Sequence, residues 1–289
     1  MEFSKRNQKF VAMNKISTMY LKADFFKILF FCICSIPLLA QNGTPAAAGA
    51  RGLAMGNTGL GFQGINSIFS NQAGLADLKT TEVTVFGEQR FFISELNVLH
   101  AGIALPVSSG VFGLSLAYFG FDQYNEQKIG LSYSRRLGQL IAISGQIDYL
   151  NTRIAEYGNR GSFTFELGVQ SDLLDDLTLA AHIYSPVEVK VNEDYSIPSV
   201  YRLGLAYRPS DKVMITAEVE QDLDYEASFR GGVEYAAAEG FFLRFGAGSN
   251  PTLITLGLGY KKNGLSIDVG SGYHLDLGVM PALSVGYGF

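Results

Sequence analysis

The 289-residue chain has no tryptophan, three histidines and two cysteines, and only 17% of its residues are charged. Both cysteines, Cys32 and Cys34, lie among the first forty residues, so a chain trimmed there holds neither a disulfide nor thiolate chemistry. The scattered His100, His182 and His274 give no metal-ligand spacing, and no cofactor motif survives inspection. With 22 Lys plus Arg against 27 Asp plus Glu, there is no basic footprint for nucleic acid. After residue 40 no run approaches the roughly 18 consecutive apolar residues of a transmembrane helix.

What is present is 47% apolar residues, 33 glycines, 15 tyrosines and 21 phenylalanines, too greasy and aromatic for a disordered chain. At the start, Lys22 and Lys27 lead into the thirteen residues Ile28 to Ala40. As a helix this stretch rises only ~20 Å, short of a hydrocarbon core ~30 Å thick. It reads as a cleaved signal peptide over residues 1–40. Removing it takes away six basic and two acidic residues and leaves 16 positive against 25 negative charges, a net of −9.

From Thr81 onward apolar and polar residues alternate with period two, the signal of strands. Fourteen segments carry it: 81–91, 95–106, 110–120, 123–135, 139–151, 162–170, 177–185, 199–208, 212–221, 227–236, 240–248, 252–261, 264–273 and 281–289. In the later segments one face is free of charge, as in Ile141, Ile143, Ile147 and Tyr149, or Phe163, Phe165, Leu167 and Val169. The other face carries Asp148, Glu166, His182, Arg202, Glu218, Glu220, Arg230, Glu234, Arg244 and Asp268.

A soluble sandwich alternates too, so three further features decide. The leader exports the chain. The segments run near the ~9 to 11 residues of a tilted membrane-spanning strand. Connections are short at 107–109, 137–138, 209–211 and 262–263, and longer at 152–161, 186–198 and 274–280. Short turns at one end and longer loops at the other belong to an outer-membrane barrel, with the short turns in the periplasm. The reading is therefore all-β: a 14-stranded antiparallel transmembrane barrel over 81–289, preceded by a hatch over 41–80, in the lipid of an outer membrane. Tyr133, Tyr207, Tyr235, Tyr260, Tyr287 and Phe289 fall on the apolar face where a periplasmic aromatic girdle is expected. Tyr287 and Phe289 also resemble the C-terminal signal of bacterial outer-membrane proteins.

Candidate chemistry is sparse. Gly59, Gly61 and Gly64 match G-x-G-x-x-G, but no βαβ unit surrounds them, and they read as tight turns of the hatch. His100 and His182 face inward, and no spacing brings a serine and an acid onto them. Glu218 and Glu220, Arg230 and Glu234, and Arg244 on successive strands form a prospective charge ladder. Such a ladder lines a channel, holds the hatch, or satisfies a buried polar interior. The lumen reads as polar, whereas a fatty-acid channel would be lined mainly by apolar side chains. In the loop 186–198, Val187, Val189 and Val191 alternate with polar residues, which leaves open a raised wall or a strand edge offered to a partner.

The hatch segment supplies a resemblance. Ala50, Arg51, Gly52, Leu53, Ala54, Met55 and Gly56, followed by Ser70, Asn71, Gln72, Ala73, Gly74 and Leu75, resemble the N-terminal signature of the PorV/PorQ group, relatives of FadL-type transporters. Gln72 stands where that superfamily usually carries proline. The resemblance implies a hatch-plugged barrel with Arg51, Met55, Gly56, Asn71, Ala73 and Gly74 in the hatch motif. It implies a non-enzymatic accessory barrel that docks protein partners in an export machine of the type IX secretion kind. The alternative is a FadL-like passive transporter of a hydrophobic small-molecule ligand, leaving sideways through strand kinks around Phe119 to Tyr124.

Overall fold

The computed structural model describes residues 47–156, 158–187, 189–190, 196–223 and 225–289. The expected leader and residues 41–46 of the hatch lie outside the described residues. Alternation with β-branched and aromatic residues produces β1 Glu82–Gln89, β2 Asn97–Val107, β3 Gly110–Gly120, β4 Tyr124–Leu137, β5 Ile141–Ile154, β6 Gly158–Leu174 and β7 Leu177–Tyr184. A small pair, β8 Val189–Lys190 and β9 Ser196–Ile197, interrupts the series. It resumes with β10 Val200–Ser210, β11 Val213–Asp222, β12 Ser228–Ala238, β13 Phe241–Gly248, β14 Leu253–Lys262, β15 Leu265–His274 and β16 Gly278–Gly288.

Apart from β8 and β9, the strands form one closed antiparallel barrel of fourteen, sealed where β1 pairs with β16 from Glu82↔Gly288 to Glu88↔Ala282. Closure leaves no row of unpaired amides in contact with hydrocarbon. The charge-free parity faces outward: Leu203, Ile147 and Leu256 are 60%, 64% and 60% exposed. The charged parity is buried inside, the inverse of a soluble sandwich.

The rim that holds both ends of the barrel carries the short turns. Asn263 and Gly264 make one of them with φ of 50° and 81°, the left-handed pair that a two-residue hairpin demands. Tyr133 stacks obliquely on Phe112 at 4.9 Å, Tyr260 on Phe241 at 4.8 Å, and Tyr287 meets Phe289 edge-on at 5.1 Å, so this rim is belted with aromatics. The Phe289 amide donates to the Thr81 carbonyl, continuing the seam between first and last strands.

At the opposite rim the expected loop 152–161 is mostly strand, because β5 continues to Ile154 and β6 starts at Gly158. The polar Asn151, Thr152, Asn159 and Arg160 pair across this extension, where no greasy face is needed to mark a strand. The described part of the loop after β7 folds back on itself. Val189–Lys190 pairs with Ser196–Ile197, and Ile197 packs on the inward residues Leu150, Tyr184 and Val200. Val191 lies outside the described residues.

Residues 47–78 sit inside the barrel. They form a six-residue α-helix, Gly49–Ala54, and two 3-10 turns, Ile65–Phe69 and Gln72–Leu75, whose side chains are almost all buried. Three close approaches set the seat of the helix. A Cβ on Gly56 would lie 2.4 Å from the Gly231 carbonyl, one on Gly232 2.4 Å from the Met55 carbonyl, and one on Gly246 2.0 Å from the Gly56 nitrogen. Glycine on both sides lets backbone touch backbone.

Candidate functional site

The plug meets two unlike walls in the lumen of the barrel. Over β4 to β7 and β10 to β15 the wall is ionised. The carboxylate of Glu234 takes two hydrogen bonds from Arg51, Nε at 2.8 Å and Nη2 at 2.6 Å. It also pairs with Arg244 Nε at 2.6 Å, and Arg244 Nη1 reaches Asp268 at 2.7 Å. The Arg51 guanidinium lies 4.4 Å over the Phe62 ring. Burial alone would lower its pKa, but Glu234 beside it and Asp268 beyond hold it above the ordinary value.

A second cluster joins Lys128, Asp148, Glu166, His182 and Arg202. Glu166 receives Lys128 at 2.6 Å, Gln72 Nε2 at 2.9 Å and His182 Nε2 at 3.0 Å. Lys128 also stands 3.8 Å from Asp148. The other ring nitrogen of His182 faces Arg202 Nη2 at 3.0 Å. A guanidinium only donates, so His182 Nδ1 accepts and Nε2 carries the proton given to Glu166. Neither nitrogen faces a hydroxyl, so this is not a nucleophile's base. Arg202 Nη2 also donates to the Ser70 carbonyl of the plug at 2.6 Å.

The prospective ladder is thus divided. Arg230 pairs with Glu220, and Arg244 with Glu234. Glu218, although in register with Arg230, turns to the plug, where Oε1 accepts the Gly59 and Leu60 amides at 2.6 and 2.7 Å. Of the G-x-G-x-x-G match, Gly59 and the Leu60 beside it thus give their amides to a wall carboxylate. Of the ladder residues, Glu218 and Glu234 reach the hatch, while Arg230 with Glu220 and Arg244 with Asp268 pair within the wall.

The hatch residues occupy defined places. Asn71 caps the second 3-10 turn, accepting the Ala73 amide, and donates to the Leu60 and Val169 carbonyls. Gln72 sends its side chain to Glu166 and accepts Ser134 Oγ on its carbonyl at 2.6 Å. Gly74 lies where a Cβ would be 2.1 Å from the Phe62 carbonyl. Ala73 and Met55 are fully buried.

Over β16, β1, β2 and β3 the wall carries an apolar patch among the inward polar residues Thr84, Glu88, Ser115 and Ser284, so the lumen read as polar is not polar throughout. Inward-facing Phe86, Val98, Ala104, Val111 and Ala282 pack against Ile65, Ile68, Phe69 and Leu75 of the plug. Phe119 extends this contact toward the long-loop rim and Leu78 toward the short-turn rim. His100 lies in the same wall, its ring edge-on to Phe69 at 5.2 Å and Phe86 at 5.5 Å. An apolar seam therefore runs the height of the barrel beside the plug.

Phe119 to Tyr124, expected as kinked wall, is instead the end of a hairpin. β3 and β4 pair through Gly120↔Asn125, and the Phe121 amide donates to the Tyr124 carbonyl. The wall has its apolar hollow elsewhere, about 700 Å³ over β7, β10 and β11, lined by Leu179, Ala181, Leu203, Leu205 and Val219 around Gly204.

Sequence reading missed Lys128, Gln170 and Arg136. Gln170 donates to the Leu60 and Phe62 carbonyls, and Arg136 pairs with Asp77 at the end of the plug. Inward parity was a usable signal for Lys128 and Gln170, whereas Arg136 lies one residue past the expected segment 123–135.

No family model and no curated protein matches the chain. Solved structures do. The Ralstonia pickettii toluene transporter TbuX superposes with a TM-score of 0.67 at 11% identity, over 83% of this chain and 98% of that one. The P. putida toluene transporter TodX gives 0.66 at 12%, over 85% and 99%. A Pseudomonas aeruginosa FadL homologue gives 0.62 at 12%, over 83% and 98%. At such identities the likeness is one of fold, and these proteins are transporters and transporter homologues, not enzymes.

Proposed function

We propose that the protein is a passive channel of a bacterial outer membrane that carries small, uncharged, hydrophobic molecules past its plug. The observation that carries this is the apolar seam, continuous from Phe119 and Val98 at one rim to Val111 and Leu78 at the other. Burial of apolar solute surface supplies ~0.8 kcal/mol per CH₂ along such a path. Arg90, at its outer end, stacks 5.6 Å over Phe119 and pairs with Glu88 at 3.5 Å, so it offers a carboxylate substrate little. The toluene transporters of the same fold support this reading over a docking role.

The test is uptake of N-phenyl-1-naphthylamine into vesicles holding the purified barrel. Uptake faster than in empty vesicles, with little ion conductance in planar bilayers, is expected; uptake equal to empty vesicles overturns the channel. The second reading is the accessory barrel of an export machine, with the hatch motif and protein partners that the PorV/PorQ resemblance implies. It is favoured by the many bonds that fix the plug on its charged side. A stoichiometric protein co-purifying from gently extracted membranes, with no uptake, would establish it. In either reading Tyr287 and Phe289 serve as the assembly signal and residues 1–40 as the cleaved leader.

A further inference from the structure

The short-turn rim has a step. β3 pairs with β4 only as far as Val111↔Ser134, whereas Arg135, Arg136 and Leu137 of β4 continue outward paired to β5 alone. In this step lies a cavity of about 650 Å³, bounded by the β2–β3 turn, the end of β4 and the exit of the plug from Ala76 to Lys79.

Three cations line it, and they differ. Arg136 is inward-facing and committed, to Asp77 and to Asp172 at 2.9 Å. Asp77, the acid in the cavity, is thereby neutralised. Arg135 and Lys79 are exposed, and neither has a hydrogen bond or ion pair among the described residues. Arg135 also occupies the lipid-facing parity of β4, in line with Leu131 and Tyr133, a face that is otherwise free of charge along this strand's barrel half.

The height of the cavity is fixed by the girdle. The Tyr133 hydroxyl donates to the Ser109 carbonyl in the turn that lines the cavity, and its ring packs on Phe112. Aromatic belts mark the headgroup level of a bilayer. A guanidinium at that level on a lipid-facing strand meets phosphate, whose paired oxygens match its fork. Val107 and Phe112 flank the step, both 44% exposed and pointing outward where an acyl chain would run.

We propose that this step binds the phosphate of a phospholipid from the periplasmic leaflet, with Arg135 and Lys79 on the phosphate and Val107 and Phe112 along one chain. The site rests on the barrel standing in a membrane, not on what passes through its lumen. Free inorganic phosphate shares the headgroup chemistry, but the lipid-facing position of Arg135 and the apolar flank select the lipid.

The test is native mass spectrometry of the full barrel in mild detergent, titrated with phosphatidylglycerol. The intact barrel is expected to retain it about tenfold or more tightly than R135A/K79A, since each cation near the headgroup contributes separately. Arg135→Lys is expected to bind about threefold more weakly than the intact barrel, because the charge is kept while the paired fork is lost. Lys79 lies outside the strands, so K79A alone gives the smaller shift even if the double variant fails to assemble. Equal retention by wild type and variants overturns the site. Retention of diacylglycerol as tight as that of phosphatidylglycerol overturns the phosphate contact, and displacement by sub-millimolar inorganic phosphate overturns the lipid. These readings are independent of vesicle uptake, so the channel and the lipid site fail separately.

Discussion

The plug touches the charged wall and the apolar wall with the same thirty-odd residues, but the two contacts differ in kind. On the charged side Arg51, Gly59, Leu60, Ser70 and Gln72 each meet a named partner at 2.6 to 2.9 Å. On the apolar side Ile65, Ile68, Phe69 and Leu75 meet Phe86, Val98, Ala104 and Val111 without a directional bond. Directional bonds to buried charges fix position, because a displaced partner leaves an uncompensated charge. Dispersion contacts are individually weak and are re-made after a small shift. The charged side is therefore the anchor of the plug, and the apolar side is the contact that gives way more readily, as the proposed channel requires.

The strongest attack on that contrast is Glu234→Ala. It leaves the guanidiniums of Arg51 and Arg244 with Asp268 alone, and loss of one partner from such a buried cluster costs ~3–5 kcal/mol. Urea unfolding of the barrel in detergent should show that loss, together with a rise in planar-bilayer conductance as the plug loosens. A change under ~1 kcal/mol with unaltered conductance would remove the anchor from the charged side.

The apolar side is sharpened by Gly102→Leu. A Cβ at Gly102 would already stand 2.9 Å from Ile68 Cγ2, so leucine fills the seam midway along its height. Overpacking of this kind costs ~1–3 kcal/mol in stability. Uptake of the apolar probe should fall about tenfold, equivalent to ~1.4 kcal/mol of added barrier. Unchanged uptake would move the pathway away from the seam.

The same contrast explains what could be read beforehand. The fourteen strands and their lumen face were legible because Glu166, Arg202, Glu218 and their neighbours mark one parity by charge. On β2 both parities are mostly apolar, with Val98 and Ala104 flanking His100 inside and Leu99, Ile103 and Leu105 outside. His100 marked the lumen side of that strand, but with no ionised residue beside it the strand did not announce the seam. The hatch was visible as a composition change and a motif, but its bonds were not: Arg51 and Glu234 are 183 residues apart, and only closure of the barrel brings them together. Gly59 and Gly61 matched a nucleotide fingerprint because close packing also calls for glycine: a Cβ would lie 2.3 Å from that of Ala48 at Gly59 and 2.7 Å from that of Ala206 at Gly61.

A smaller effect is expected from Asn71→Ala. It removes a turn cap and the donor to the Leu60 and Val169 carbonyls, and loss of such a cap costs ~1–2 kcal/mol. The drop should appear in the unfolding midpoint while probe uptake stays near wild type, because Asn71 contacts the charged wall and not the seam. A fall in uptake matching that of Gly102→Leu would show that the plug moves as one body and that the two sides are not independent.

The smallest effect tests redundancy within the anchor. Gln72→Pro installs the residue usual in the FadL superfamily and removes the bond to Glu166, worth ~1 kcal/mol net. Glu166 still keeps Lys128 and His182, so no buried charge is orphaned. Against the loss, position 72 is the first residue of a 3-10 turn, where the fixed φ of proline is pre-organised. Asn71 before it is already extended, with φ −147° and ψ 98°, as a residue preceding proline must be. The Gln72 carbonyl that accepts Ser134 Oγ is retained by proline as well. These terms nearly cancel, so the unfolding midpoint should move by less than ~1 kcal/mol in either direction. A loss of ~3 kcal/mol or more would mean that Gln72, not Lys128 or His182, is what holds Glu166 in place, and the anchor would then rest on the plug side of that cluster.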